Sequence, residues 1–464
     1  MLLCIRITKL MVSPRRFFTA PRCLCSKLHS SSLSQSVASS YLHEECDDFL
    51  PWLEQKAGVA ISSAVSIGRS TYGRSLFATK IIETGSSILK VPFHAQISPD
   101  NLYPEIKILL GDEVGNVARL ATVILVEKKK GPESGWAPYI SRLPLLGETQ
   151  TTLFWSEDEL EIIKQSPVYL ETIRKKAEIR RQFLTLKPVL DQFPQIFDGI
   201  KFEDFLHAYT LVESRAWESS KGFSMIPLAD FLNHDGLAKA IVLSDEEEQI
   251  SEVLADRDYA PGEQIWITYG KFSNATLLLE FGFTLPHNIH DEVHLHFKIP
   301  SHDPLYKMKS ELLERLRFPT LKDLRGFKHH ADSFTIKEVR SATGKGYGIP
   351  QSLRAAARVL CCTSAEELCY VVEEAMENDG RLGRRPFKNI EREIQAHEIL
   401  LSQITTLIGE YTESIKLLVS TSPAGNRHDS RERMAHDLLA GELRVLKAAS
   451  LWLQNYILTL HHSA

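Results

Sequence analysis

Between Pro51 and Pro99 the apolar residues come in short runs, Val65-Ser-Ile67, Arg74-Ser-Leu-Phe-Ala78 and Ser87-Ile-Leu-Lys-Val91, with Gly68, Gly73 and Gly85 punctuating them. Such runs predict short strands joined by turns. The period then changes: Val117, Leu120, Ala121, Ile124 and Leu125 fall on one face at helical spacing. Ser156 followed by Glu159 is a capping box for a further helix carrying Leu160 and Ile163. A third helical stretch, Phe202 to about Val212, leads into Glu213-Ser-Arg-Ala-Trp217. Strand character returns over Ser224–His234, in an edge hairpin predicted across Ile241–Leu254, and over Gly262–Gly270. A helix-rich insert, about 100–212, thus interrupts one β-rich domain.

After about Pro304 the pattern changes again. Ile390, Ile394, His397, Leu401, Ile404, Ile408, Tyr411, Ile415 and Leu418 recur at alternating steps of four and three, and a second stripe runs Leu439, Leu443, Leu446, Ser450, Leu453, Ile457, Leu460. The break at Thr421–Ser430 predicts two long antiparallel helices, with His397 a polar residue tolerated in their seam.

The chain has 464 residues, roughly three domains' worth, and its 43% hydrophobic and 24% charged residues are those of a folded globular protein. No run of about 18 apolar residues suggests a membrane span. A net charge of −5 gives no support to a nucleic-acid-binding surface spread over the chain. Residues 1–40 differ from the rest: six basic residues (Arg6, Lys9, Arg15, Arg16, Arg22, Lys27), nine serines and no acid before Glu44. That is organelle transit-peptide composition, a disordered basic tail being the plain alternative, and charges break up any secretory apolar region. Outside it lie Cys46, Cys361, Cys362 and Cys369, with no CxxC pair and no Cys/His cluster at zinc spacing. The pairs His329-His330 and His461-His462 read as solvated histidines, so no metal is expected.

Four segments carry candidate chemistry: Tyr72-Gly-Arg-Ser-Leu-Phe-Ala78, Ser214-Arg-Ala-Trp217, Asp230-Phe-Leu-Asn-His234 and Gly262 to Tyr269-Gly270. In this order and spacing, from about residue 45 to the C-terminus, the chain resembles the SET-domain methyltransferases. Within them it resembles the plant branch of Rubisco large-subunit lysine methyltransferase and its actin-histidine methyltransferase relatives. The resemblance implies an α+β protein: a β-rich, pseudoknotted SET domain over 45–285 with its helical insert, then an all-α substrate-binding domain over 305–464. It implies S-adenosylmethionine as cofactor. It implies a non-histone protein substrate, a stromal enzyme such as Rubisco being one candidate, acted on by a monomer without nucleic acid or membrane. With the leader, it implies residence in the chloroplast stroma, the mitochondrial matrix being the alternative.

The resemblance also assigns residues. Arg74, Ser75 and Leu76 form the strand that backs the cofactor, Gly73 admitting close backbone approach and Ser75 standing where the family has a second glycine. Arg215 would pair the cofactor carboxylate with a guanidinium fork, the plain alternative being a surface ion pair. With Asp230 in the same set, Asn233 would offer its amide oxygen to the ammonium and His234 a backbone edge to the adenine. Trp217 would present an aromatic wall to a cation, or be ordinary core. Tyr269 is the catalytic candidate, placed beside the transferred methyl to orient the nucleophile, because methyl transfer from a sulfonium depends mainly on positioning. Phe281, standing where a tyrosine is common, and Phe283 would line the substrate channel, Phe283 also touching the cofactor; both also fit plain core. The leading activity is protein-lysine N-methylation. Protein-histidine methylation and a catalytically degenerate docking factor are the competing readings.

Overall fold

The computed structural model describes residues 48–219, 222–315, 333–377, 382–383, 385–421 and 430–463. The leader over 1–40, Cys46 and the His329-His330 pair lie outside the described residues. Packing divides the chain into two compact units, one holding the chain up to Leu143 with Leu186–Gly270, the other holding Pro144–Thr185 with Lys271–Ala464.

In the first unit Val65–Ser70 pairs antiparallel with Gly73–Ala78, closing between Ser70 and Gly73 with Gly73 at φ 89°, a conformation glycine adopts without a Cβ penalty. Ser87–Pro92, Ile250–Leu254 and Val242–Asp245 form a three-stranded sheet in that order. The hairpin expected over Ile241–Leu254 therefore has only its first arm on the edge. Ala216–Ser219 and Gly222–Met225 make a second hairpin. The apolar stripe at Val117–Leu125 forms the helix Asn116–Lys130, buried on Leu120, Ala121, Ile124 and Leu125 and packed on helix Phe202–Arg215.

The stretch expected as strand over Ser224–His234 is interrupted. Leu228 sits at φ 72° and opens a single 3-10 turn, Ala229–Phe231, after which only Asn233–His234 is extended. That pair runs parallel to Trp266–Ile267. A branched apolar side chain at positive φ is strained, and the strain falls just before the polar residues Asp230, Asn233 and His234.

In the second unit the capping box is present: Ser156 Oγ accepts from Glu159 N at 3.2 Å and Glu159 Oε2 accepts from Ser156 N at 2.6 Å, opening helix Glu157–Ile162. The two stripes form helices Ile390–Thr421 and Ser430–Ser463. They are antiparallel, because Tyr411 meets Glu442 while Glu393 meets Tyr456. Their core takes in Leu400, Ile404, Leu439, Leu446, Trp452 and Leu453 together with Val293, Leu295 and Ile336 of a two-stranded sheet. By packing, the insert is divided: Pro144–Thr185 clusters with these helices, held by bonds such as Ser166 Oγ to Glu442 and Arg431 to Glu159. Such partners, some 270 residues apart, leave no local pattern. The chain is α+β, with its strands concentrated before Gly270 and helices dominating after it.

Candidate active site

The parallel pair Asn233–His234 with Trp266–Ile267 brings the Asn-His step alongside the segment that ends in Tyr269. His234 is buried and its Nδ1 accepts from Tyr269 N at 3.0 Å, so the neutral ring carries its proton on Nε2. The two rings stack at 5.2 Å. Asn233 Nδ2 donates to Arg74 O at 3.1 Å and Ser75 Oγ at 2.8 Å. A carbonyl can only accept, so the amide is oriented with its nitrogen on the strand and its oxygen directed elsewhere.

Ser75 is fully buried, and its hydroxyl also meets Ser70 Oγ at 2.9 Å and accepts from Gln264 Nε2 at 3.2 Å. The residue in place of the family's second glycine thus fastens three segments together. Leu76 is buried and its carbonyl accepts from Ile265 N. Arg74 donates through Nη1 to Arg142 O at 2.6 Å and lies over the Phe231 ring, and its charge acts on Asp230.

Asp230 Oδ2 accepts from Tyr139 OH at 2.7 Å, while Oδ1 is buried with no hydrogen-bond partner. Burial is the main cause that raises its pKa to about 6, opposed by the Tyr139 bond and by the charges of Arg215 and Arg74. Trp217 Nε1 is likewise buried and unbonded, and its ring meets Tyr269 edge-on at 6.4 Å. Arg215 ends helix Phe202–Arg215 and donates to Ser214 Oγ at 2.6 Å; among the described residues no carboxylate lies within ion-pair distance of it. Tyr269 OH donates to Leu232 O at 2.8 Å. Burial drives its pKa well above the ordinary tyrosine value, with Arg215 opposing and Asp230 reinforcing. The hydroxyl therefore stays protonated at neutral pH with its hydrogen fixed on Leu232, which leaves oxygen lone pairs as the face it can turn to a nucleophile.

Arg74, Ser75, Leu76, Arg215, Trp217, Asp230, Asn233, His234 and Tyr269 thus all fall in the first unit. Phe281 and Phe283 fall in the second, where Phe281 packs at 5.7 Å on Phe272 and 6.3 Å on Phe283. Gly282 between them has φ 77°, and a Cβ there would lie 2.8 Å from Thr151 N, so the Glu-Phe-Gly-Phe turn requires glycine. Sequence reasoning missed Tyr139, the buried partner of Asp230, and Gln264, the partner of Ser75. Tyr139 lies in the short insert helix Ala137–Ile140, and nothing local marks it.

A ligand with a carboxylate, an ammonium and hydroxyl groups fits this set: a guanidinium without a carboxylate partner, an amide oxygen, an orphaned carboxylate oxygen and an orphaned indole N–H. Buried polar atoms without partners are costly unless a ligand satisfies them.

Comparison with known proteins accords with this geometry. The SET domain profile matches residues 73–270 and the Rubisco LSMT substrate-binding profile matches 300–446. Human actin-histidine N-methyltransferase (Homo sapiens) is 26% identical over 452 residues, 92% of this chain and 72% of the relative. The mouse protein of the same name (Mus musculus) is 25% identical over 93% of this chain and 72% of its own length. Among solved structures, the SET domain of LSMT bound to lysine and AdoHcy superposes with a TM-score of 0.68 at 22% identity, covering 92% of this chain and 94% of that one. Rubisco LSMT bound to AdoMet gives 0.68 at 22%, covering 89% and 92%. The chain is a SET-domain protein that carries a Rubisco LSMT substrate-binding domain after the SET domain.

Proposed function

We propose that the protein is an S-adenosylmethionine-dependent SET-domain protein methyltransferase. The observation that carries this reading is the gathering of Arg215, Trp217, Asp230, Asn233, His234 and Tyr269 in one unit, with buried polar atoms left open for a ligand. Arg215, Asn233 and the His234 backbone would hold the cofactor, assisted by Asp230 and the Arg74–Leu76 strand. When bound, the cofactor supplies a methyl group on a sulfonium, whose departure leaves a neutral sulfide. Little acid–base help is needed, and Tyr269 acts by positioning: its hydroxyl hydrogen is committed to Leu232 O and its lone pairs orient an incoming N–H.

For the acceptor, lysine is the first reading. Its amine, of ordinary pKa about 10.4, has to arrive neutral, which a poorly hydrated channel favours. Phe281 and Phe283 are our proposed lining for that channel. One finding favours histidine: the curated relatives of the human and mouse type are named actin-histidine N-methyltransferases. Imidazole is largely neutral at pH 7 and needs no such shift. The substrate is proposed to be a folded, non-histone protein. The acid-free leader supports delivery to the chloroplast stroma or mitochondrial matrix, and a fusion of residues 1–50 to a fluorescent protein that stays cytosolic would remove that address.

The test is methyl-labelled cofactor with the purified full chain and organelle extract, followed by hydrolysis and chromatography of the labelled protein. Methyl-lysine supports the first reading and methylhistidine the second. Cofactor binding without any labelled protein would leave a docking factor and overturn the enzyme. The rate profile gives a second discriminator: a lysine acceptor gains rate past pH 8, whereas imidazole levels off above about pH 7.

A further inference from the structure

Helix Pro167–Leu190 carries apolar side chains on two faces, one buried and one exposed. One face carries Val168, Thr172, Ile179 and Phe183, all buried. At about 100° per residue, Leu170, Ile173, Ala177 and Leu184 share an arc of roughly 60° on the other side. That arc faces solvent: Leu170 is 48% exposed, Ile173 47% and Leu184 62%. Over Leu170–Leu184 the stripe is about 21 Å long.

The charges beside it are ordered. Arg174 and Arg181 border one edge, with Lys176 and Arg180 on the other, all four exposed. Glu171 and Glu178 lie outside the Arg174 edge and bond back to it, Arg174 to Glu171 at 2.7 Å and Arg181 to Glu178 at 2.9 Å. From 170 to 184 five basic residues face two acids, in a chain whose net charge is −5. Solvation alone asks for polar residues on an outer face, not for an apolar line between two basic rails.

We infer that this face is a docking rail for an acidic amphipathic helix of a partner protein, one with apolar residues at i, i+3 or i+4 and i+7 flanked by Asp and Glu. Charge complementarity selects that occupant. A second copy of this chain would set its own basic rails against these. A membrane surface suits a helix that can bury a broad apolar face, whereas here the broad face is already in the core and two carboxylates sit on one flank.

The experiment uses the full chain and a fluorescent synthetic helix of this design, with a scrambled peptide of identical composition as control. Saturable anisotropy binding is expected, weakening at least tenfold in K176E/R180E and in Ile173→Ser with Leu184→Ser, and weakening on going from 50 to 500 mM salt. All four substitutions are at exposed positions, and unchanged circular dichroism and thermal unfolding certify the fold. Equal binding of the scrambled peptide, or no binding of the designed one, overturns the inference. So does preferential binding to phosphatidylglycerol vesicles over the peptide, or dimerisation abolished by the Ile173/Leu184 pair. None of these readouts requires methyl transfer, so their failure is separate from failure of the proposed enzyme.

Discussion

Each unit buries a polar cluster around a carboxylate, and the two carboxylates are finished differently. In the helical unit Glu393 is fully buried and fully bonded: Oε2 accepts from Arg358 Nε at 2.8 Å and Phe387 N at 3.2 Å, and Oε1 accepts from Tyr456 OH at 3.0 Å and from Arg358 Nη2. Burial pushes its pKa up, but the Arg358 bonds and charge outweigh that and hold it below the ordinary glutamate value. In the strand-rich unit Asp230 has one bond, from Tyr139, an unbonded second oxygen, and a pKa raised to about 6. A saturated carboxylate reads as structure and an unsaturated one as a site awaiting a ligand. The proposed function rests on that contrast as much as on family likeness.

The largest effect should come from breaking the saturated carboxylate. Arg358→Ala leaves Glu393 buried without its cation, which costs about 3–5 kcal/mol when one partner of a buried pair is removed. Denaturant unfolding should show that loss, while cofactor affinity per folded molecule stays unchanged. A loss of stability below about 1 kcal/mol would mean that Tyr456 and the Phe387 N–H suffice for Glu393. On the other side of the contrast, Tyr269→Phe should fold normally and bind cofactor within about threefold of wild type. Its methyl transfer should fall about a hundredfold or more, because a misplaced nucleophile costs that much. Equal turnover would take Tyr269 out of the mechanism.

Periodicity made much of the scaffold legible. The Val117–Leu125 stripe, the Ser156/Glu159 box and the two long seams each depend on neighbours within one or two turns, which a sequence displays. Leu228 was not legible, since nothing in Ile-Pro-Leu-Ala announces a leucine at positive φ. The candidate residues were found through family order, yet their working geometry depends on long-range bonds: Tyr139 to Asp230 across 91 positions, Gln264 to Ser75 across 189. Ser75 shows the limit most plainly. As a sequence feature it is a missing glycine, and only in the fold does its hydroxyl become the acceptor that orients Asn233.

Arg215→Ala sharpens the same contrast at a smaller scale. Losing a charge-assisted pair of roughly 1.5–3 kcal/mol should weaken cofactor binding by about ten- to a hundredfold. Stability should fall less than in Arg358→Ala, since among the described residues Arg215 bonds no carboxylate and acts on Asp230 through its charge alone. Calorimetric titration checks it. Unchanged affinity together with a large loss of stability would move Arg215 into the structural class beside Arg358.

The smallest effect separates the clusters by sign. Asp230 has a folded pKa raised from 3.8 to about 6, burial being the first cause. Its stabilising contribution is complete below the unfolded value and is lost as pH rises through about 6. His397, fully buried beside Glu393, has a pKa lowered from 6.5 to about 4, again by burial first, with the Glu393 charge opposing. Its contribution is complete above 6.5 and is lost as pH falls through about 4. Each is on the order of 2 kcal/mol, and over the shared window they oppose, so the wild-type profile is flattened. Asp291 and Glu442, raised to about 6 and about 8, act in the direction of Asp230 but are common to every variant compared. Asp230→Asn should therefore lose stability more steeply than wild type on acidification from pH 6.5 to 4.5, and His397→Gln should lose it less steeply. Urea midpoints at three pH values in that window decide the matter. Parallel slopes for the two variants would show that the clusters are not opposite in protonation and would remove the electrostatic half of the comparison.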